Sequence, residues 1–233
     1  MNKIIKLFFI YLVIISSVYS SASFTGLTGG IDFPSANILI NRHYTVQGII
    51  SSNDDDLTMD IVIETGFIPQ VEAGIKLSTA KNKFDQSFLQ ANFKYQLVPE
   101  GKDNPAVAIG FTEFDSYEIQ GDKSKENKGD NPEAYAFLVL TKSFSENKYN
   151  FSLGLNYSQA ENAKDTNIFA ISDIALMNKV RLLTEVYTYD RNSSKKVNYN
   201  LGAEFFTREN LITKVYFRER NHSIGVSIYY FTN

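Results

Sequence analysis

Among its 233 residues the sequence contains 0 Cys, 0 Trp and 2 His. Without cysteine there is no disulfide framework, no thiolate metal site, no cysteine nucleophile and no acylated N-terminal cysteine. A secreted chain of this composition must be held together by its backbone hydrogen bonds and its packing. The two histidines, His43 and His222, fall at the starts of the first and last extended runs described below. If those runs are antiparallel neighbours, the rings sit at opposite ends of the seam and share neither a metal nor a substrate. Ser223, next to His222, points to the other face of a strand, so it forms no serine–histidine dyad. A lipid-modifying barrel enzyme would need a nucleophile and a base together, and neither histidine supplies that pair. The chain therefore reads as a non-enzyme that implies no cofactor. A net charge of −3 leaves no basic footprint and argues against a nucleic-acid partner.

Long hydrophobic runs are also missing, apart from one at the start. Met1 to Lys6 carries Lys3 and Lys6, Leu7 to Val18 is a short apolar stretch, and Ser20-Ser21-Ala22 offers small residues for cleavage. This is the layout of a secretory signal over residues 1–22. An uncleaved anchor is the alternative, but the run falls short of the roughly 20 residues needed to span a bilayer. No later stretch is long enough for a transmembrane helix. Contact with a membrane then requires a closed barrel, because lipid offers no partners to unpaired backbone groups.

What is present is alternation. In Tyr149 to Ser158, Tyr149, Phe151, Leu153, Leu155 and Tyr157 share one face, and Asn150, Ser152, Gly154, Asn156 and Ser158 share the other. Val197, Tyr199, Leu201, Ala203 and Phe205 alternate in the same way with Asn198, Asn200, Gly202 and Glu204. Period two places each set on one side of a sheet. About twelve such runs follow one another, near 43–52, 57–67, 70–80, 87–98, 105–115, 133–144, 147–158, 166–177, 179–190, 196–206, 210–219 and 221–231. Each is close to the roughly 9–11 residues of a tilted transmembrane strand.

The expected fold is all-β, a single antiparallel transmembrane barrel of about 12 strands after an N-terminal signal peptide. Its divisions are 1–22 signal, 23–42 a periplasmic Gly/Pro-containing leader or plug, and 43–233 the barrel. Connections after even-numbered runs are short, as at Ile68-Pro69, Ser145-Glu146 and Asn178. Those after odd-numbered runs are longer and more polar, as at Asn53 to Asp56, Lys81 to Gln86, Ser116 to Pro132, Gln159 to Asp165 and Arg191 to Lys195. Short periplasmic turns and longer outer loops match outer-membrane barrels, so localisation in a cell outer membrane is expected. The last run ends Ile228-Tyr229-Tyr230-Phe231, an aromatic ending of the kind read by barrel-insertion machinery, although Thr232 and Asn233 follow it. The 14 Tyr and 18 Phe suit an interfacial girdle or ordinary sheet packing, and the lack of Trp makes a girdle atypical.

If the apolar set faces lipid, the lumen is lined by Asp60, Glu64, Glu72, Lys76, Gln90, Asn92, Lys94, Asn150, Asn156, Arg181, Glu185, Asn198, Asn200, Glu204, Lys214 and Arg218. Both signs are present, so the interior is either wet or filled with ion pairs. It serves either as a rigidifying network or as a polar passage or binding surface for hydroxyl-rich ligands. A soluble barrel would invert the two faces. Asn53-Asp54-Asp55-Asp56 has oxygen ligands for a loose Ca²⁺ site, but such a run is more often a solvated loop, and no metal site is assigned. Gly26-Leu27-Thr28-Gly29-Gly30 is followed by no helix and is not a phosphate cradle.

Several segments resemble, in order, the YjbH-like family of outer-membrane proteins linked to exopolysaccharide production. Gly26 to Ala36, with Gly26, Gly29, Gly30 and Pro34, is similar to that family's opening Gly-Thr-Gly-Leu and Pro-Ser/Thr-Ala motif. Ile68 to Gly74 resembles its proline hairpin, Asn104 to Phe111 its Pro-Ala-Val-Ala-x-Gly strand, and Thr141-Lys142-Ser143-Phe144 its Ser-Lys-Arg-Phe. The similarity runs from about Gly26 to Tyr157. It departs from the family in the chain's shorter length and in the charged loop that follows Phe114. The resemblance implies an accessory role in polysaccharide production or export, with a glycan or export partner at the lumen or outer loops. A general small-solute pore is the alternative.

Overall fold

The computed structural model describes residues 23, 27–39, 43–52, 57–80, 83–120, 134–145, 148–160, 163–191, 194–208, 210–220 and 222–231. They form twelve strands: β1 Tyr44–Ser52, β2 Leu57–Ile68, β3 Val71–Ala80, β4 Lys83–Val98, β5 Ala106–Gln120, β6 Tyr135–Phe144, β7 Tyr149–Ala160, β8 Ala163–Met177, β9 Val180–Arg191, β10 Ser194–Arg208, β11 Leu211–Arg218 and β12 Ser223–Phe231. Every strand pairs with its sequence neighbours, and β1 pairs antiparallel with β12, closing the barrel. Closure satisfies the backbone of both terminal strands and leaves no edge, as a lipid environment demands. No helix occurs among the described residues.

The two faces are sorted as the alternation implies. Tyr149, Phe151, Leu153, Leu155 and Tyr157 of β7 are exposed, as are Val197, Tyr199, Leu201 and Phe205 of β10, while Asn150, Ser152, Asn156, Asn198, Asn200 and Glu204 are buried. Apolar side chains thus point outward and most polar ones inward, the pattern of a transmembrane barrel and the reverse of a soluble one. Outward aromatics Tyr44, Phe67, Tyr95, Phe144, Tyr149, Phe205 and Tyr230 gather at the end that carries the short turns. They form a belt of Tyr and Phe at that end.

Two expectations need correction. Where they are described, the stretches read as polar outer loops are strand. The ladders continue to Ala80↔Lys83, Ala160↔Ala163 and Arg191↔Ser194, and β5 runs on to Gln120. Strands β4, β5, β8 and β10, of 16, 15, 15 and 15 residues, exceed the roughly 9–11 needed to cross lipid. They extend as water-side hairpins, where the ladder no longer needs an apolar face and polar residues pair equally well. The inner face is also not uniformly polar. Ala106, Ala108, Phe137, Val139, Phe169, Ile171 and Tyr187 form a buried apolar sector across β5, β6, β8 and β9. The histidines lie as expected: Thr45 pairs with Phe231 and Ser52 with Ile224, so His43 and His222 flank opposite ends of the seam.

Candidate functional site

The barrel interior is occupied by the chain's own leader. Leu27, Ile31, Phe33, Ala36 and Leu39 are all buried. Thr28 to Ser35 fold into a tight hairpin: Gly29 bridges Pro34, Gly30 N donates to Phe33 O at 2.9 Å, and Ser35 N to Thr28 O at 2.9 Å. The glycines are required by close approach. A side chain at Gly29 would run into the Phe33 carbonyl and the Pro34 Cα, and one at Gly30 would meet the Glu185 carboxylate and Ile171. Gly26, of the same motif, lies outside the described residues, as do 1–22 and Asn53 to Asp56.

Wall side chains hold this hairpin chiefly by its backbone. At the tip, the Glu185 carboxylate accepts from Ile31 N at 2.6 Å, from Asp32 N at 3.0 Å and from Phe33 N at 3.1 Å. Successive amides converging on one carboxylate make an anion-binding nest. Asn200 Nδ2 donates to Glu185 at 2.8 Å and to Asp32 Oδ2 at 2.9 Å. Arg218 reaches Asp32 Oδ1 at 3.5 Å and is itself held by Ser223, to which its Nε donates at 2.9 Å. Lys214 donates to Gly30 O at 2.7 Å and pairs with Glu204 at 3.2 Å.

Toward the base, Glu72 accepts from Thr28 N at 2.6 Å, Thr28 Oγ1 at 2.9 Å and Leu39 N at 2.9 Å. Lys94 pairs with Glu72 at 3.1 Å and donates to the Thr28 carbonyl and hydroxyl. Ala36 is gripped on both sides, its N donating to Thr141 Oγ1 at 2.8 Å and its O accepting from Gln96 Nε2 at 2.8 Å. Leu39 closes the base against Ile212, Tyr229 and Phe231. The last aromatic, Phe231, therefore faces the interior while Tyr230 faces out.

Apolar contacts complete the fit. The Phe33 ring stacks on Phe169 at 4.7 Å and tilts against Tyr187 at 4.9 Å. Ile31 packs with Ile49, Val62, Leu183 and Tyr216, and a side chain at Gly202 would come within 3.1 Å of it. These inward apolar residues escape an alternation search that assigns every apolar residue to the lipid face. The signal that marks them is broken alternation, as in the continuous run Tyr135-Ala136-Phe137-Leu138-Val139-Leu140, apolar on both sides.

The structure places every lumen candidate on the interior wall. Asp60, Glu64, Glu72, Lys76, Gln90, Asn92, Lys94, Glu185, Asn198, Asn200, Glu204 and Lys214 are buried. Arg181 pairs with Asp173 at 2.9 Å, and Asn150 Nδ2 donates to the same carboxylate at 3.0 Å. Glu72, Lys94, Glu185, Asn200, Lys214 and Arg218 come together on the leader. Gln96, Thr141 and Asp173, and the leader residues Thr28, Ile31, Asp32 and Phe33, are not among the lumen candidates that alternation marks.

No protein-family model and no curated protein matches the sequence. Solved structures do match the fold. One is the KdgM porin, with TM-score 0.61 and 12% identity over 80% of this chain and 98% of that one. The same porin, solved in complex with disordered oligogalacturonate, matches with TM-score 0.60. A NanC porin structure matches with TM-score 0.56 and 10% identity over 82% of this chain and 100% of that one. At such identities the likeness shows the fold, a closed twelve-stranded barrel of the kind found in outer-membrane porins.

Proposed function

We propose that the chain is an outer-membrane channel for small polar solutes. The observation that carries this reading is a wall of charged and amide side chains facing inward beneath an outward apolar face. A barrel needed only as an anchor gains nothing from burying so many ionisable groups, each costly to desolvate. The wall also sets a selectivity. Cations at Lys76, Lys94, Arg181, Lys214 and Arg218 are interspersed with carboxylates at Asp60, Glu64, Glu72, Asp173, Glu185 and Glu204. Oligogalacturonate, the ligand named for the KdgM complex, is a polyanion, and a wall of mixed sign does not favour one. Neutral, hydroxyl-rich solutes fit it better.

The test is permeation through the refolded chain in liposomes, with neutral sugars and organic anions of matched size, alongside a Gly30→Phe variant whose leader has no room to seat. Sugar entry through Gly30→Phe at least as fast as anion entry is expected. If neither protein passes any solute, the channel reading fails.

A second reading is an accessory role in exopolysaccharide production or export, supported by the ordered resemblance of Gly26 to Tyr157 to the YjbH-like family. Surface polysaccharide measured with the gene removed, then restored on a plasmid, tests it. An unchanged amount and composition would sink that role.

A further inference from the structure

We propose that Leu27–Leu39 is a removable gate, and that its latch is the nest of Ile31, Asp32 and Phe33 amides on Glu185; this regulation rests on the channel reading above. Filling a lumen does not by itself make a gate, since a permanent plug fills it too. The distinction lies in what the wall would be left with after withdrawal.

Most wall charges are paired within the wall. Lys94 has Glu72 at 3.1 Å, Lys214 has Glu204 at 3.2 Å and Arg181 has Asp173 at 2.9 Å. These pairs join neighbouring strands or near neighbours, so they survive loss of the leader and need only water in its place. The leader contributes mainly backbone amides and carbonyls to the wall, groups that water or a solute hydroxyl replaces one for one.

Glu185 is different. Among the described residues it forms no ion pair, and its wall partner is the amide of Asn200. Its remaining bonds come from the leader tip. A like charge also lies beside it, because the leader's own Asp32 shares the Asn200 amide with it. Asp32 is held by Arg218 only at 3.5 Å, with its side chain 22% exposed. The tip is therefore held chiefly at one acid by strong, charge-assisted bonds, with the like charge of Asp32 opposing them and only a loose Arg218 contact offsetting it. Glu185 is thus the acid whose loosening frees the tip, while Glu72 holds the base through Thr28 and Leu39.

Accessibility reads the gate without assuming that anything flows. Ser35 is 7% exposed, lies in the hairpin and is isosteric with cysteine, and the chain has no other thiol. In full-length Ser35→Cys, labelling by a water-soluble maleimide should be slow. Adding Glu185→Gln should speed it on the order of tenfold or more, the factor for losing a charge-assisted bond. Equal labelling rates in two folded proteins, with the barrel intact by gel mobility, would overturn the latch. The same pair in planar bilayers separates the two proposals. Faster labelling with more frequent opening supports both, and faster labelling with no conductance in any variant leaves the gate but removes the channel. Conductance that ignores Glu185→Gln leaves the channel but removes the gate.

Discussion

At the residue scale, the interior is a set of acids and lysines whose partners decide their worth. Lys94 and Glu72 are both fully buried and 3.1 Å apart, and Lys94 also serves the Thr28 carbonyl at 3.1 Å. Removing one member leaves the other buried and unpaired, which costs about 3–5 kcal/mol. Lys94→Met should therefore lower the urea midpoint of the refolded barrel, whereas Lys94→Met with Glu72→Leu should recover part of the loss. A double variant no better than the single one would show that Glu72 acts through the leader and not through Lys94. The inward placement of these residues was legible from alternation alone. Their engagement of leader amides was not, because an acid that lines water and one that binds a peptide nest look the same in sequence. Gly29 and Gly30 carried the better clue, marking a backbone that something approaches closely.

At the element scale, strands were legible and their ends were not. All twelve runs correspond to strands, since period two persists wherever one face meets lipid. Outside the bilayer that constraint lapses, and the hairpin ladders of β7–β8 and β9–β10 continue through residues that read as polar loop. Depth along a strand should then govern tolerance. Leu153, exposed at the middle of β7, should cost about 2–4 kcal/mol as Arg. A similar substitution at Val197, near the start of β10 and 69% exposed, should cost well under that. Refolding titrations of both variants in lipid vesicles check the ordering. The short turns carry their own signal: Gln70 has φ 72°, a left-handed conformation hostile to β-branched side chains. Gln70→Val should cost about 1–2 kcal/mol and Gln70→Gly should not, as thermal unfolding would show.

At the scale of the whole molecule, barrel and leader form one packed object. Ile31 lies against Gly202, so Ile31→Cys with Gly202→Cys gives a pair that can be joined in a chain with no competing thiol. Oxidation should hold the protein closed even in the presence of Glu185→Gln, and reduction should release it. Conductance through the oxidised protein equal to that of the reduced one would place the passage elsewhere in the barrel. Which wall residues hold the leader was the least legible feature. The leader is short and, among the described residues, carries no strand of its own, and its partners are scattered over β3, β4, β6, β9, β10 and β11.

That scatter dictates an order of assembly. Thr28 must find Glu72, 44 residues on, Ile31 must find Glu185, 154 residues on, and Gly30 must find Lys214, 184 residues on. None of these partners is correctly placed until the strands that carry them have joined the sheet, and Leu39 waits for β12 itself. Long-range closures of this kind are slow. The leader is synthesised before any strand, yet its full set of contacts can form only once β12 has joined the sheet, so its seating is completed at the end of folding.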